Sequence, residues 1–61
     1  MPIRRNDFIC LRGVLQNNVF ITDNQEIEYI GNKDITYTGE CYALFLRTPK
    51  NYFLKRVVPI N

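Results

Sequence analysis

From Asp7 onward, apolar residues fall at alternate positions or in short runs, and no stretch sustains a helical period. Residues 7–15 (Asp-Phe-Ile-Cys-Leu-Arg-Gly-Val-Leu) predict a first strand, closed by Gln16-Asn17-Asn18. Residues 19–22 (Val-Phe-Ile-Thr) predict a short second strand ending at Asp23-Asn24. In residues 26–30, Ile27 and Tyr29 alternate with polar neighbours, the pattern of a third strand. Gly31-Asn32-Lys33-Asp34 is a turn, residues 35–38 are placed to extend that hairpin, and Gly39-Glu40 makes the bend.

Residues 41–47 predict the fourth strand. Tyr42, Leu44 and Leu46 share one face, and Cys41, Ala43 and Phe45 the other. Both faces are apolar, as in a central strand or one covered by a second chain. Thr48-Pro49-Lys50-Asn51 is a tight turn with proline at its favoured second position. Residues 52–58 predict the fifth strand, and Pro59, lacking an N–H, ends the ladder or lies on an edge. Tyr52 and Phe53 are consecutive, so one of them faces away from the core. The expectation is an all-β fold of five short antiparallel strands. A small barrel of the Sm, SH3 or OB type and an intertwined dimeric sandwich both fit. One domain spans residues 8–61, preceded by an extension over residues 1–7 that carries Arg4 and Arg5.

Length sharpens this picture. A chain of 61 residues buries only about 60% of the surface its unfolded form exposes, so a lone monomer is marginal. Disulfides, a metal or oligomerisation are the usual remedies. There are two cysteines and no histidine, which leaves no ordinary zinc ligand set. No metal site and no cofactor are expected, and Cys10 and Cys41 read as small hydrophobes within apolar strands. No signal-peptide pattern and no membrane-length apolar run is present, so the expectation is a cytoplasmic protein with reduced thiols, built as a homodimer. Abundant asparagine and isoleucine fit an AT-rich genome, such as that of a phage.

Catalysis is not expected. The commonest general base is absent, and a cysteine nucleophile would lack its histidine partner. Glu26 and Glu28 share a strand face and read as a solvated edge, and the three glycines are too scattered for a phosphate loop. The net charge of +2 permits nucleic-acid binding without demanding it. Its distribution says more. Arg4, Arg5 and Arg12 gather near the start and Arg47, Lys50, Lys55 and Arg56 near the end, while Asp23, Glu26, Glu28, Asp34 and Glu40 hold the middle. The eight aromatic residues include candidates for a base-stacking platform.

The C-terminal half resembles the CsrA/RsmA carbon storage regulator family. Gly39 is followed by alternating Tyr42, Leu44 and Leu46, then by Thr48-Pro49-Lys50, Tyr52, Leu54 and the basic pair Lys55-Arg56. Upstream, Ile9-Cys10-Leu11-Arg12, Val19-Phe20-Ile21-Thr22-Asp23, and Ile27 with Tyr29 are similar to the family's first three strands. The likeness runs from Phe8 to Arg56, with an insertion of about five residues within positions 24–38 and without the family's C-terminal helix, as in a divergent member. It implies an intertwined homodimer in which the first strand of one chain lies beside the last strand of the other. It also implies binding to GGA-containing hairpin loops of messenger RNA and repression of translation. The implied RNA-contacting residues are Leu11, Arg12, Thr48, Pro49, Lys50, Leu54, Lys55 and Arg56. Two other readings stand beside it. One is a small phage-type β-protein that binds and inhibits a host protein; the other is a Sm- or SH3-like subunit of a larger complex.

Overall fold

A computed structural model describes residues 6–60. Arg4 and Arg5 lie outside the described residues. Five strands form one antiparallel sheet: β1 (Asp7–Gln16), β2 (Val19–Ile21), β3 (Glu26–Glu28), β4 (Gly39–Arg47) and β5 (Tyr52–Pro59). The spatial order is β3-β2-β1-β4-β5. β3 and β4 follow one another in sequence yet lie apart in space, so the sheet is not a plain meander. β4 is central, between β1 and β5, as its two apolar faces suggest. No helix occurs among the described residues, and so none that is long and apolar enough to cross a membrane.

Local chemistry sets the turns. β1 and β2 meet at Asn17-Asn18, where Asn18 has φ 67°; asparagine tolerates that left-handed region better than most residues. The Tyr29 hydroxyl donates to the Gln16 carbonyl, and the Tyr29 N–H donates to the Asn18 carbonyl at 3.2 Å. One tyrosine thus fastens both sides of this turn. Between β4 and β5, the Thr48 N–H donates to the Asn51 carbonyl at 2.8 Å, and the Thr48 hydroxyl accepts from the N–H groups of Lys50 and Asn51.

Beyond β3 the chain crosses to the opposite edge of the sheet. Ile30 forms a parallel bridge with Phe53 of β5. The Ile30 N–H donates to the Tyr52 carbonyl at 2.7 Å, and the Leu54 N–H donates to the Ile30 carbonyl at 3.0 Å. The sheet therefore curls until the continuation of one edge strand touches the other.

The core fills the concave side. Leu15, Phe20, Ile27, Cys41, Ala43, Phe45 and Leu54 are buried, with Ile9, Leu11, Tyr29, Ile35, Tyr37, Tyr52 and Val57 packed around them. Phe45 is its hub: its ring centroid lies 5.2 Å from Phe20, 5.7 Å from Tyr29 and 6.0 Å from Tyr52. The Phe20 and Tyr52 rings meet it edge to face, a favourable arrangement for their quadrupoles. Of the consecutive pair, Tyr52 faces the core, and Phe53 lies on the opposite face.

Two glycines are required by geometry. A Cβ at Gly13 would sit 2.2 Å from the Ile21 carbonyl oxygen and 3.1 Å from the Phe20 ring. Here β1 passes from pairing with β4 alone to pairing with both β4 and β2. Gly39 has φ +129° and lies against the Tyr37 ring, whose hydroxyl donates to the Glu40 carbonyl at 2.8 Å. Position 39, expected in a bend, instead starts β4.

Three further expectations change. Residues 35–38 form no strand; Ile35 and Tyr37 serve as core plugs on an irregular segment. β3 stops at Glu28, because Ile30 is recruited to β5. The domain begins inside the expected extension, since Asp7 already pairs with Arg47 of β4. Within the chain, β1 has β2 and β4 as neighbours, and β5 has β4.

Gly13→Ala should destabilise the fold by about 1–3 kcal/mol, because backbone must shift to admit the methyl group. Urea unfolding followed by circular dichroism reads this directly, and an unchanged midpoint would contradict the close approach. Alkaline pH gives a second test. Burial raises the Cys41 thiol above its ordinary 9.0 and the Tyr29 phenol above its ordinary 10.0. Both groups are neutral when folded, so their contribution is complete below those values and is lost as pH rises through the raised ones. Stability should hold to about pH 9 and then fall, with Tyr29→Phe flattening the upper part of the decline.

Candidate nucleic-acid interface

The sheet register assigns every side chain of β1, β4 and β5 to a face. Phe8, Leu46 and Phe53 form one cross-strand row on the convex face; Cys10, Leu44 and Arg56 form the next; Arg12, Tyr42 and Val58 form the third. Much of this face is open to solvent: Phe8 is 64% exposed, Val58 53% and Tyr42 45%. The Arg12 guanidinium stands 6.0 Å from the centre of the Tyr42 ring, at the outer reach of a cation–π contact. Aromatic faces, aliphatic side chains and arginines thus alternate across three strands.

A bulge sets the basic pair. Phe45 opposes Leu54, but Leu44 opposes Arg56, so Lys55 is the extra residue on β5. Strict alternation would send Leu54 inward, Lys55 outward and Arg56 inward. The inserted residue instead leaves both Lys55 and Arg56 exposed and returns Val57 to the core side. Bulges are a recurring means of re-aiming side chains near functional surfaces.

Charge divides the molecule. Asp23, Glu26 and Glu28 lie exposed on and beside β2 and β3. Arg12, Lys55 and Arg56 lie on the β1-β4-β5 side, with Lys50 at the tip of the β4–β5 turn. Arg47 is less available than its neighbours. Its Nη2 lies 2.9 Å from Asp7 Oδ2, and its Nε donates to Asp7 Oδ1 at 3.2 Å. That bonding to Asp7 raises the guanidinium pKa further above its ordinary value. A groove lined by Arg12, Asp23 and Glu40 marks the boundary between the two regions.

The residues implied by the resemblance separate into three groups. Arg12, Lys55 and Arg56 are exposed on one side of the sheet. Thr48, Pro49 and Lys50 sit together at the β4–β5 turn; Pro49 and Lys50 are exposed, whereas the Thr48 hydroxyl is engaged in holding the turn. Leu11 and Leu54 face the core; Leu54 is 3% exposed and Leu11 packs against the buried cluster. Their side chains pack inward, since the alternation that exposes Arg12 turns Leu11 towards the core. The reading of Cys10 as a buried hydrophobe is corrected. Only Cys41 is buried; Cys10 lies exposed in the middle of the convex face. Phe8, Tyr42 and Phe53 are the outward aromatics. Alternation within β1 and β4 carries that information once the two strands are known to pair.

Among the described residues, no group of three or more histidine, cysteine, aspartate or glutamate side chains could hold a metal ion. Comparison with known proteins found no matching family model, curated protein or solved structure.

Of the two thiols, Cys10 should react rapidly with a disulfide reagent such as DTNB in the folded protein, and Cys41 only after denaturation. Two equally fast thiols would contradict the assignment of faces.

Proposed function

We propose that this protein binds single-stranded RNA on the convex face of β1, β4 and β5. The observation that carries the reading is the cross-strand alternation of Phe8, Tyr42 and Phe53 with Arg12 and Arg56 on an exposed face. Such a face supplies what unpaired bases require. Aromatic rings stack on them regardless of sequence, and arginine and lysine meet phosphate. Lys55 and Lys50 extend the positive track from the bulge towards the β4–β5 turn.

The connectivity supports the reading. β1 stands between β2 and β4, and the continuation of β3 runs parallel to β5. That order is closer to the OB barrel than to an SH3- or Sm-like meander, and OB barrels bind oligonucleotides. In such barrels the surface over strands 2 and 3 commonly receives the ligand. Here that surface carries Glu26 and Glu28, which repel phosphate, so the ligand is assigned to the other side. The resemblance to the CsrA/RsmA family makes a GGA-containing loop the first RNA to try, with repression of translation as the consequence of its capture.

The test is a titration against a fluorescent GGA-loop hairpin and its CCA counterpart at two salt concentrations. Tyr42→Ala should weaken binding by about 1–3 kcal/mol, the usual worth of one stacked base. Arg56→Ala should weaken it and lower the salt slope by about one. If neither substitution changes the affinity, this face is not the binding site. Preference for GGA over CCA would extend the reading to sequence-specific regulation; equal affinity would confine it to general single-strand binding.

A further inference from the structure

The two outer strands of this sheet and the side of β1 that β2 leaves uncovered are treated differently by the chain. β3 exposes only three residues, with Glu26 and Glu28 flanking Ile27. β5 carries a bulge, Lys55, Arg56 and a terminal proline, and Ile30 bridges it at Phe53 on the side away from β4. Short length, charge, bulges and proline are the devices by which proteins prevent edge strands from pairing with other chains. β1 has fewer of them: Arg12 is its one exposed charge not already paired within the chain. Residues 7–13 pair with β4 on one side, whereas β2 reaches the other side only at Val14, Leu15 and Gln16. Among the described residues no strand pairs with the other side of Phe-Ile-Cys-Leu-Arg at positions 8–12, whereas Gly13 already lies against the Ile21 carbonyl. That stretch has no proline and no bulge, and the aspartate that precedes it is held by Arg47.

We propose that a second copy of this chain adds to that edge, β1 antiparallel to β1, about a two-fold axis at Cys10. The register follows from geometry. Residues opposed in a continuous antiparallel sheet share a face, so their numbers must sum to an even value. The open stretch is centred on Cys10, and pairing about it uses the whole length.

The resulting contacts are self-complementary. On the convex face Phe8 meets the partner's Arg12, and Arg12 the partner's Phe8, placing a guanidinium against an aromatic ring twice. The two arginines stay four positions apart, which avoids like-charge opposition. On the concave face Ile9 meets the partner's Leu11, so two side chains already packed against the core extend it across the junction. The order β5-β4-β1 continues into the partner's β1-β4-β5, joining two basic, aromatic faces side by side. An isologous contact of this kind closes on itself and does not propagate into fibres. The pairing is independent of what that face binds.

Sedimentation equilibrium of the intact protein should show a concentration-dependent dimer. Cys10→Lys places two ammonium groups opposite each other at the axis and should weaken the dimer at least several-fold. Position 10 is exposed, so the circular dichroism of that variant should match the wild type. Mild oxidation reads the register. Directly opposed antiparallel residues have Cα atoms about 4.5–5.5 Å apart, within the range a disulfide spans. Wild-type protein should therefore cross-link through Cys10. Cys10→Ser with Arg12→Cys should cross-link poorly, and adding Phe8→Cys to that pair should restore the link. A wild-type protein that stays monomeric at all concentrations would overturn the proposal. So would an Arg12→Cys variant that cross-links as readily as wild type, because that pattern reports random collision.

Discussion

The Ile21 carbonyl oxygen occupies the space that a side chain at position 13 would need. That contact is the constraint on which the rest of the sheet depends. β1 must satisfy β4 along its length and β2 at its end, and these two pairings aim it in different directions. A single residue without a Cβ absorbs the difference. Phe20 can then reach Phe45, and the ring hub at Phe45 collects Tyr29, just beyond β3, and Tyr52 of β5 from opposite sides of the sheet. A core of seven buried residues is small, so its rigidity rests on the few contacts that cross between strands.

The strands themselves were legible because their signals are local. Alternation and turn residues located all five, and β4 was recognisable as central from the apolar character of both its faces. Positions that depend on distant parts of the chain were not legible. Gly39 looks like a bend in isolation, yet the Tyr37 ring and hydroxyl turn it into the first residue of a strand. Ile30 looks like the end of a hairpin strand, yet its backbone is claimed by Tyr52 and Leu54, more than twenty positions away. Leu11 and Leu54 looked like partners of the basic residues beside them, and a face assignment separates them. Cys10 and Cys41 have similar apolar neighbours in sequence, but their parity relative to the core differs, so one is buried and the other exposed. The Lys55 bulge leaves no sequence signal at all, and without it Arg56 would be assigned to the wrong side.

The two sides of the sheet divide the work. The concave side is closed by aromatic packing, and every buried side-chain polar atom described there has a hydrogen-bond partner. The convex side leaves large apolar groups in water. A monomer of this size gains nothing in stability from such exposure, and contiguous exposed apolar area on small proteins generally marks a surface made for contact. The acidic region around β2 and β3 adds direction to this, because an anionic ligand is attracted to one side and repelled from the other.

The pairing of β1 with β4 also bears on how the chain finds its fold. Asp7 and Arg47 are partners although forty positions separate them in a chain of 61 residues. The β1–β2 and β4–β5 hairpins close over tight turns and form locally, whereas the long β1–β4 ladder has to wait for the ends of a large loop to meet. The Ile30 crossing depends on both edge strands, since its hydrogen bonds join the continuation of β3 to β5. Loop-closure entropy therefore favours an order from two hairpins to one sheet, with the aromatic hub at Phe45 completed as those hairpins dock.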